Sequence, residues 1–468
     1  MQRPAPCEFR SRYALSRTIV MVLSCRFFAR IAIALTCFLA LGINIVLFTR
    51  LPSRSASHRS KFQSALMSLA GPDAKEKPTQ NLFNASLRGY IRRMNAEQHI
   101  ANEKSFGRLP SQDNPGLQSS PASVFVIQMH NRPDELEVLL SSLSKVKGIK
   151  ESLIIFSMDV VSDVLIKLIN GVQFARTASI FFPHSIQTFS DIFPGTGIDD
   201  CPDGVYLTKR SDEKCFNEKW PDTYGHYRNG SITQTKHHWL WKTKFIFEHF
   251  EPIRNYPGYV IFLEDDLYVL EDILHVTRLM EKFWDPKEAR GFLAFSDEHP
   301  PQDHKGTVLY EFPWRNSIVM GISRAMWKEL SRCMASFCNY DDYNWDWSLQ
   351  FVNSNCMGGR LLAVALSGLP RVYHLGECRG MHHNKNNCSA KEIADKLINK
   401  IPKQEGPNLY PEKLEIIKSA VWVGYSGGPN GGWGDPRDRA LCVSILENRW
   451  TPVIKSLAPH LMDYSPIY

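Results

Sequence analysis

The chain has 468 residues, of which 43% are hydrophobic, 22% charged and 11% aromatic. That length and composition describe a globular protein of one large or up to three modest domains, and exclude a mainly disordered, collagen-like or small disulfide-scaffold chain. The net charge of +7 sits at one end: residues 1–60 hold nine arginines against the single acid Glu8, which is +8 and leaves −1 for residues 61–468. A near-neutral body argues against nucleic-acid binding through a general basic field.

Ile31 to Thr49 is a run of 19 uncharged residues flanked by Arg26, Arg30, Arg50 and Arg54, long enough to cross the hydrocarbon of a bilayer. The long arginine-rich segment before it and the lack of a small-x-small cleavage site after it favour an uncleaved anchor over a signal peptide. The positive-inside rule then puts residues 1–30 in the cytosol and the bulk on the far side. Residues 50–120 are polar and read as a stem, with a candidate helix from Ser86 to Glu103, and 121–468 as the body. The eight cysteines beyond the anchor (Cys201, Cys215, Cys333, Cys338, Cys356, Cys378, Cys388, Cys442) form an even set, compatible with up to four disulfides in an oxidising compartment. Local spacing suggests Cys201–Cys215 and Cys378–Cys388 and leaves the others open. A zinc site from Cys378, His382, His383 and Cys388 fits no familiar spacing. Sequons begin at Asn84, Asn229 and Asn387.

From residue 123 short β-branched, apolar runs alternate with helical patterns. Strands are expected at 123–129, 152–158, 180–182, 258–266 and 291–297, with a helix from Asp134 to Lys145. This order predicts a mainly parallel α/β sheet that binds its ligand at the carboxyl ends of the strands.

The fourth strand runs straight into Glu264, Asp265 and Asp266. Three acids at a strand end repel one another unless a cation sits there, and hard oxygen ligands suit Mg²⁺ or Mn²⁺ bridging a diphosphate. His130, Asn131 and Arg132 follow the first strand, where Arg132 can meet phosphate. Tyr340 to Trp347 interleaves acids with aromatics; if helical, Asp342 and Asp346 share a face and raise one another's pKa, as suits a general base. The glycine-rich stretch Gly427 to Asp435 lacks the setting of a phosphate loop and reads as a tight surface segment.

The runs QMHNRP (128–133), FPHSIQ (182–187), QTKHHWLWK (234–242), FLEDD (262–266), YDDYNWDWSLQ (340–350), PRVYHLGEC (370–378), GMHH (380–383) and NGGWGDPRD (430–438) together resemble the N-acetylglucosaminyltransferase II family, in one order over roughly 120–445. The resemblance implies a GT-A glycosyltransferase fold behind a Golgi membrane anchor, with the catalytic domain lumenal. It implies inverting transfer of GlcNAc from UDP-GlcNAc, with Mn²⁺, in β1,2 linkage to the α1,6-arm mannose of an N-glycan acceptor; a homodimer is left open. A related transferase with another acceptor, or an inactive glycan-binding protein, are the alternatives.

Carried over by position, Gln128, Met129, His130, Asn131, Arg132 and Asp159 are implied to contact the nucleotide, and Gln234, Thr235, Lys236, His237 and His238 the donor. Asp266 and His374 are the implied metal ligands and Asp346 the implied base. The implied disulfides are Cys201–Cys215, Cys333–Cys356, Cys338–Cys442 and Cys378–Cys388. The chain departs from the family at the acid triplet, which there reads Glu-Glu-Asp followed by His and here is followed by Leu267; residues 297–317 do not align.

Overall fold

The computed structural model describes residues 77–107, 121–203, 214–296, 308–314, 319–366, 370–376, 389–405, 409–418 and 427–467. The expected anchor and the cluster Cys378, His382, His383 and Cys388 lie outside them. Among the described residues no helix is long and apolar enough to cross a membrane.

The strands are, in chain order, β1 (Ile100–Ala101), β2 (Val124–Met129), β3 (Leu153–Met158), β4 (Arg176–Phe181), β5 (Val260–Glu264), β6 (Leu267–Val269), β7 (Gly291–Ala294), β8 (Val308–Pro313), β9 (Met320–Ile322), β10 (Leu362–Leu366), β11 (Val372–His374) and β12 (Glu415–Lys418). A ten-stranded sheet runs β1-β4-β3-β2-β5-β9-β7-β10-β8-β12, and β6 pairs with β11 separately. The central run β4-β3-β2-β5 is parallel throughout. Beyond it β9 lies antiparallel between β5 and β7, and β8 antiparallel to β10, so the sheet is mixed away from its centre.

β2 and β3 are buried at every position. Both faces of a parallel sheet are covered, which is why these strands read as unbroken apolar runs. Val124, Val126, Leu153 and Ile155 pack with Trp239, Leu240 and Trp241 of the helix Gly230–Lys244. Phe125, Ile127, Ile154 and Phe156 face the other layer, with Leu136, Leu139 and Leu143 of the helix Pro133–Leu143.

Part of the expected stem is folded. In the helix Lys77–Glu97, Leu87, Ile91 and Met94 are buried at helical spacing against the second layer. Asn95 exchanges two hydrogen bonds of 2.8 Å with the backbone of Phe181, so the helix closes the end of β4. The glycine-rich stretch is corrected in part: Gly427, Gly428 and Asn430 are exposed, whereas Gly431, Trp433 and Asp435 are buried. Trp433 is fully buried and donates from Nε1 to the Cys338 carbonyl at 2.9 Å. A Cβ on Gly434 would lie 2.3 Å from the Pro221 carbonyl oxygen, so only glycine permits that approach.

The implied Cys378–Cys388 pair lies outside the described residues; among the described residues three disulfides join Cys201–Cys215, Cys333–Cys356 and Cys338–Cys442. The last closes 104 residues and ties the helix Met334–Asn339 to the helix Pro436–Glu447. Loops of that size restrict the unfolded chain most. Replacing Cys338 and Cys442 together by Ala should lower the unfolding free energy by about 2–4 kcal/mol, read as an earlier urea midpoint in tryptophan fluorescence.

Candidate functional site

The parallel strands end together on one edge, which delivers His130, Asn131 and Arg132 after β2, Asp159 after β3 and the acid triplet at the end of β5. Asp159 is buried there and receives three groups: His130 Nδ1 at 2.5 Å, Gln234 Nε2 at 3.1 Å and His238 Nδ1 at 3.5 Å. Gln234 and His238 stand four apart on the helix Gly230–Lys244 and so share a face. Gln234 Oε1 accepts from the Ile186 N–H at 2.7 Å, and His238 Nε2 pairs with the Ser157 hydroxyl at 2.8 Å. Burial opposes a charge on His130, but Asp159 outweighs it and raises His130 to about 9. Burial lowers His238 to about 4 despite its bond to Asp159, so that ring is neutral at pH 7.

The rest of the run from Gln234 to His238 does not reach Asp159. Lys236 Nζ donates to the carbonyls of Tyr340 (3.1 Å) and Asp342 (2.7 Å), and His237 Nε2 to that of Asp438 (2.9 Å). Successive helical residues turn by about 100°, so a contiguous string cannot all face one ligand; Thr235 lies half-buried between the two faces. Met129 likewise packs into the apolar layer, and Asn131 is exposed. Gln128 is fully buried with neither amide atom hydrogen-bonded.

The acid triplet divides its contacts, with Arg132 shared by the last two acids. Glu264 Oε1 accepts from Trp345 Nε1 at 3.2 Å. Asp265 accepts from the His130 N–H at 2.7 Å and from Arg132 Nη1 at 3.3 Å. Asp266 accepts from Arg132 Nη1 at 2.7 Å and lies 3.2 Å from His374 Nε2. The repulsion read from the sequence is therefore relieved in part by Arg132. Burial pushes the Asp265 carboxyl up, whereas the His374 bond and Arg132 overcome burial at Asp266 and hold it low.

His374 reaches Asp266 because β6 and β11 pair antiparallel with Leu267 opposite His374, and the Leu375 N–H donates to the Asp266 carbonyl at 2.8 Å. A Cβ on Gly376 would fall 2.3 Å from the imidazole and 3.2 Å from Asp266 Oδ2, so glycine keeps that space clear. Asp266 Oδ1 is buried with no hydrogen-bond partner. One carboxylate oxygen, an imidazole nitrogen and a space free of side chain fit a divalent ion that takes its remaining ligands from a diphosphate and water. Among the described residues no group of three or more His, Cys, Asp or Glu could hold a metal ion.

Asp346 lies in the first turn of the helix Trp345–Asn355, its Oδ1 accepting from the Trp347 N–H at 2.8 Å. Asp342 is not on that helix, which corrects the shared face expected for the two acids. Asn344 caps the helix, and Asp342 lies before the cap, buried and accepting from the N–H groups of Asn344 and Asn430, each at 2.9 Å.

The profile of the family described as N-acetylglucosaminyltransferase II (MGAT2) matches residues 88–442. The chain belongs to the N-acetylglucosaminyltransferase II family. It is 33% identical over 388 residues to the Homo sapiens alpha-1,6-mannosyl-glycoprotein 2-beta-N-acetylglucosaminyltransferase, covering 79% of this chain and 82% of that one. To the Arabidopsis thaliana protein of the same name it is 28% identical over 428 residues, covering 87% and 92%. A solved cytidylyltransferase from Leptospira borgpetersenii matches 61% of this chain and 96% of its own at a TM-score of 0.28 and 10% identity, a likeness too slight to bear on this member of the family.

Sequence reasoning missed Gly376, the Glu264–Trp345 bond and Lys242. Lys242 follows Gln234 and His238 at the same spacing of four and is buried under the triplet; burial lowers it to about 7 against the pull of Glu264 and Asp265. That spacing was the available signal.

The His130–Asp159 pair carries a pH signature. His130 rises from an ordinary 6.5 to about 9 on folding. Its stabilisation is therefore complete below pH 6.5 and lost as pH climbs through 9. His130→Gln should cost about 1–3 kcal/mol at pH 6, and the gap in Tm from the parent should narrow between pH 6.5 and 9 in a calorimetric series.

Proposed function

We propose that the chain transfers N-acetylglucosamine from UDP-GlcNAc to the 2-hydroxyl of the α1,6-arm mannose of an N-glycan, by one inverting displacement on a GT-A-type sheet in the Golgi lumen. The activity follows from family membership and is the one its relatives' names state. The chemistry rests above all on the meeting of Asp266 and His374, 108 residues apart, at the edge where the parallel strands end. The three disulfides support an oxidising compartment, and residues 31–49 would anchor the body to its membrane.

Asp266 and His374 would hold Mn²⁺, which when bound neutralises charge on the departing diphosphate. Arg132 and protonated His130 stand beside this site and add positive charge toward the phosphates. Asp346 accepts the proton of the mannose 2-hydroxyl as that oxygen attacks the anomeric carbon. The bond from that carbon to the UDP oxygen breaks on the opposite face, and the centre inverts without a glycosyl-enzyme intermediate. Most of the rate comes from holding the alcohol in line and from charge already in place.

The full chain in detergent, given UDP-GlcNAc, Mn²⁺ and an N-glycan bearing GlcNAc on its α1,3 arm, should add one β1,2-linked GlcNAc, read by mass spectrometry and glycosidase digestion. EDTA should abolish product and added Mn²⁺ restore it; transfer indifferent to chelation would remove the metal from the account. Asp346→Asn should lower kcat about 10²–10⁴-fold while UDP affinity, by calorimetry, stays within about twofold. Parental turnover by that variant would dismiss Asp346 as the base.

A further inference from the structure

Glu264 has a hydrogen-bond partner that the two acids after it do not share. Its Oε1 accepts from Trp345 Nε1 at 3.2 Å, and Trp345 opens the helix whose next residue is Asp346. The indole is 6% exposed and stacks on Trp239 at 5.1 Å, with 5° between the planes. The ring thus has one face fixed by Trp239 and its edge fixed by a carboxylate. Asn344 makes no side-chain capping bond; the helix start is held by Asp342, which accepts from the Asn344 N–H at 2.9 Å and from its Nδ2 at 3.2 Å, by Ser348, whose hydroxyl donates to the Asn344 carbonyl at 2.7 Å, and by Trp345.

We infer that the Glu264–Trp345 hydrogen bond is a positioning contact that fixes the distance between the base and the donor end of the site. Glu264 stands two residues before Asp266 on one element, and Trp345 one residue before Asp346 on the other. It is a direct polar bond between the triplet and this helix. A charge-assisted hydrogen bond constrains both length and direction, whereas an apolar contact tolerates sliding. A shift of about 1 Å in a reacting group can cost roughly a hundredfold in rate. Neither side chain is assigned a reacting atom; both act through Asp346, so this inference rests on Asp346 being the base.

The test is a double-mutant cycle on the full chain, with kcat, acceptor KM, UDP affinity and Tm measured for Trp345→Phe, Glu264→Leu, the double variant, Glu264→Gln and Asp346→Asn. Trp345→Phe is the decisive change, because it keeps an aromatic ring against Trp239 and removes the N–H; it also removes part of the buried indole, so its kcat is read beside its Tm and against Glu264→Leu, which breaks the same bond from the other side. Glu264 also balances the buried Lys242, so its loss carries a separate stability cost. The expected result is a kcat loss of about 10–100-fold in each single variant with UDP affinity within about threefold, and a double variant no worse than about the poorer single. Glu264→Gln, which keeps an acceptor oxygen, should recover to within about fivefold of the parent. Unchanged kcat in Trp345→Phe, multiplying losses in the double variant, or kcat losses that only track lost UDP binding and Tm would each overturn the inference. Asp346→Asn separates the two layers: parental turnover there removes the base assignment itself, whereas an inactive Asp346→Asn with no coupling removes the positioning contact alone.

Discussion

A carboxylate held charged and almost wholly buried at position 266 is the constraint around which this edge of the sheet is arranged. An unpaired charge in such a place costs several kcal/mol, and removing its partner costs more than the pair contributes. Two side chains meet the requirement from two directions. Arg132 arrives because β2 and β5 are adjacent and in register, Gln128 beside Glu264, so the residues after β2 emerge next to those after β5. His374 arrives because β11 folds back along β6. The Leu375 N–H holds the main chain of Asp266, and Gly376 leaves the space beside the imidazole clear.

The same arrangement explains why adjacent acids behave differently. Asp265 is fully buried and points inward to the His130 N–H, so burial governs it and its pKa rises. Asp266 points toward the Arg132 guanidinium and the His374 imidazole and is held low. Environments that differ this much let one fold keep two neighbouring carboxyls in different charge states side by side. Glu264, the most exposed of the three, is left to contact another element.

How much of this was legible in the sequence depends on how far each contact reaches. The strands that carry the site were readable because a parallel strand covered on both faces is an unbroken apolar run, and the polar residues where each run stops marked the edge. The pairing of Asp266 with His374 was not readable from residue types. It depends on three-residue strands more than a hundred positions apart, and it entered only through resemblance to a family. The helix Lys77–Glu97 was assigned to a stem, with Ser86 to Glu103 read as a candidate helix, because residues 50–120 are mostly polar, although Leu87, Ile91 and Met94 keep the spacing of a buried stripe. Asp342 and Asp346 were placed on one face because spacing alone does not show where a helix begins; Asn344, a good capping residue between them, was the overlooked signal.

The helix Gly230–Lys244 shows why periodicity fails at a functional element. It is buried on nearly every side, yet it carries Gln234, Lys236, His237, His238 and Lys242. A buried polar residue must find a partner, and these find them in different quarters: Gln234 and His238 at Asp159, Lys236 at the segment before the helix Trp345–Asn355, His237 at Asp438. With polar groups all round, no apolar stripe separates a core face from a solvent face, and the hydropathy pattern goes silent. What such a helix contributes is rigidity between elements that must keep their distance. One face holds the strand edge where the donor is proposed to sit, the opposite face holds the chain leading into Asp346, and Trp239 stacks on Trp345 between them. A slippery apolar helix would pack as well, but it would not fix those separations, because apolar contacts set volume and hydrogen bonds set register.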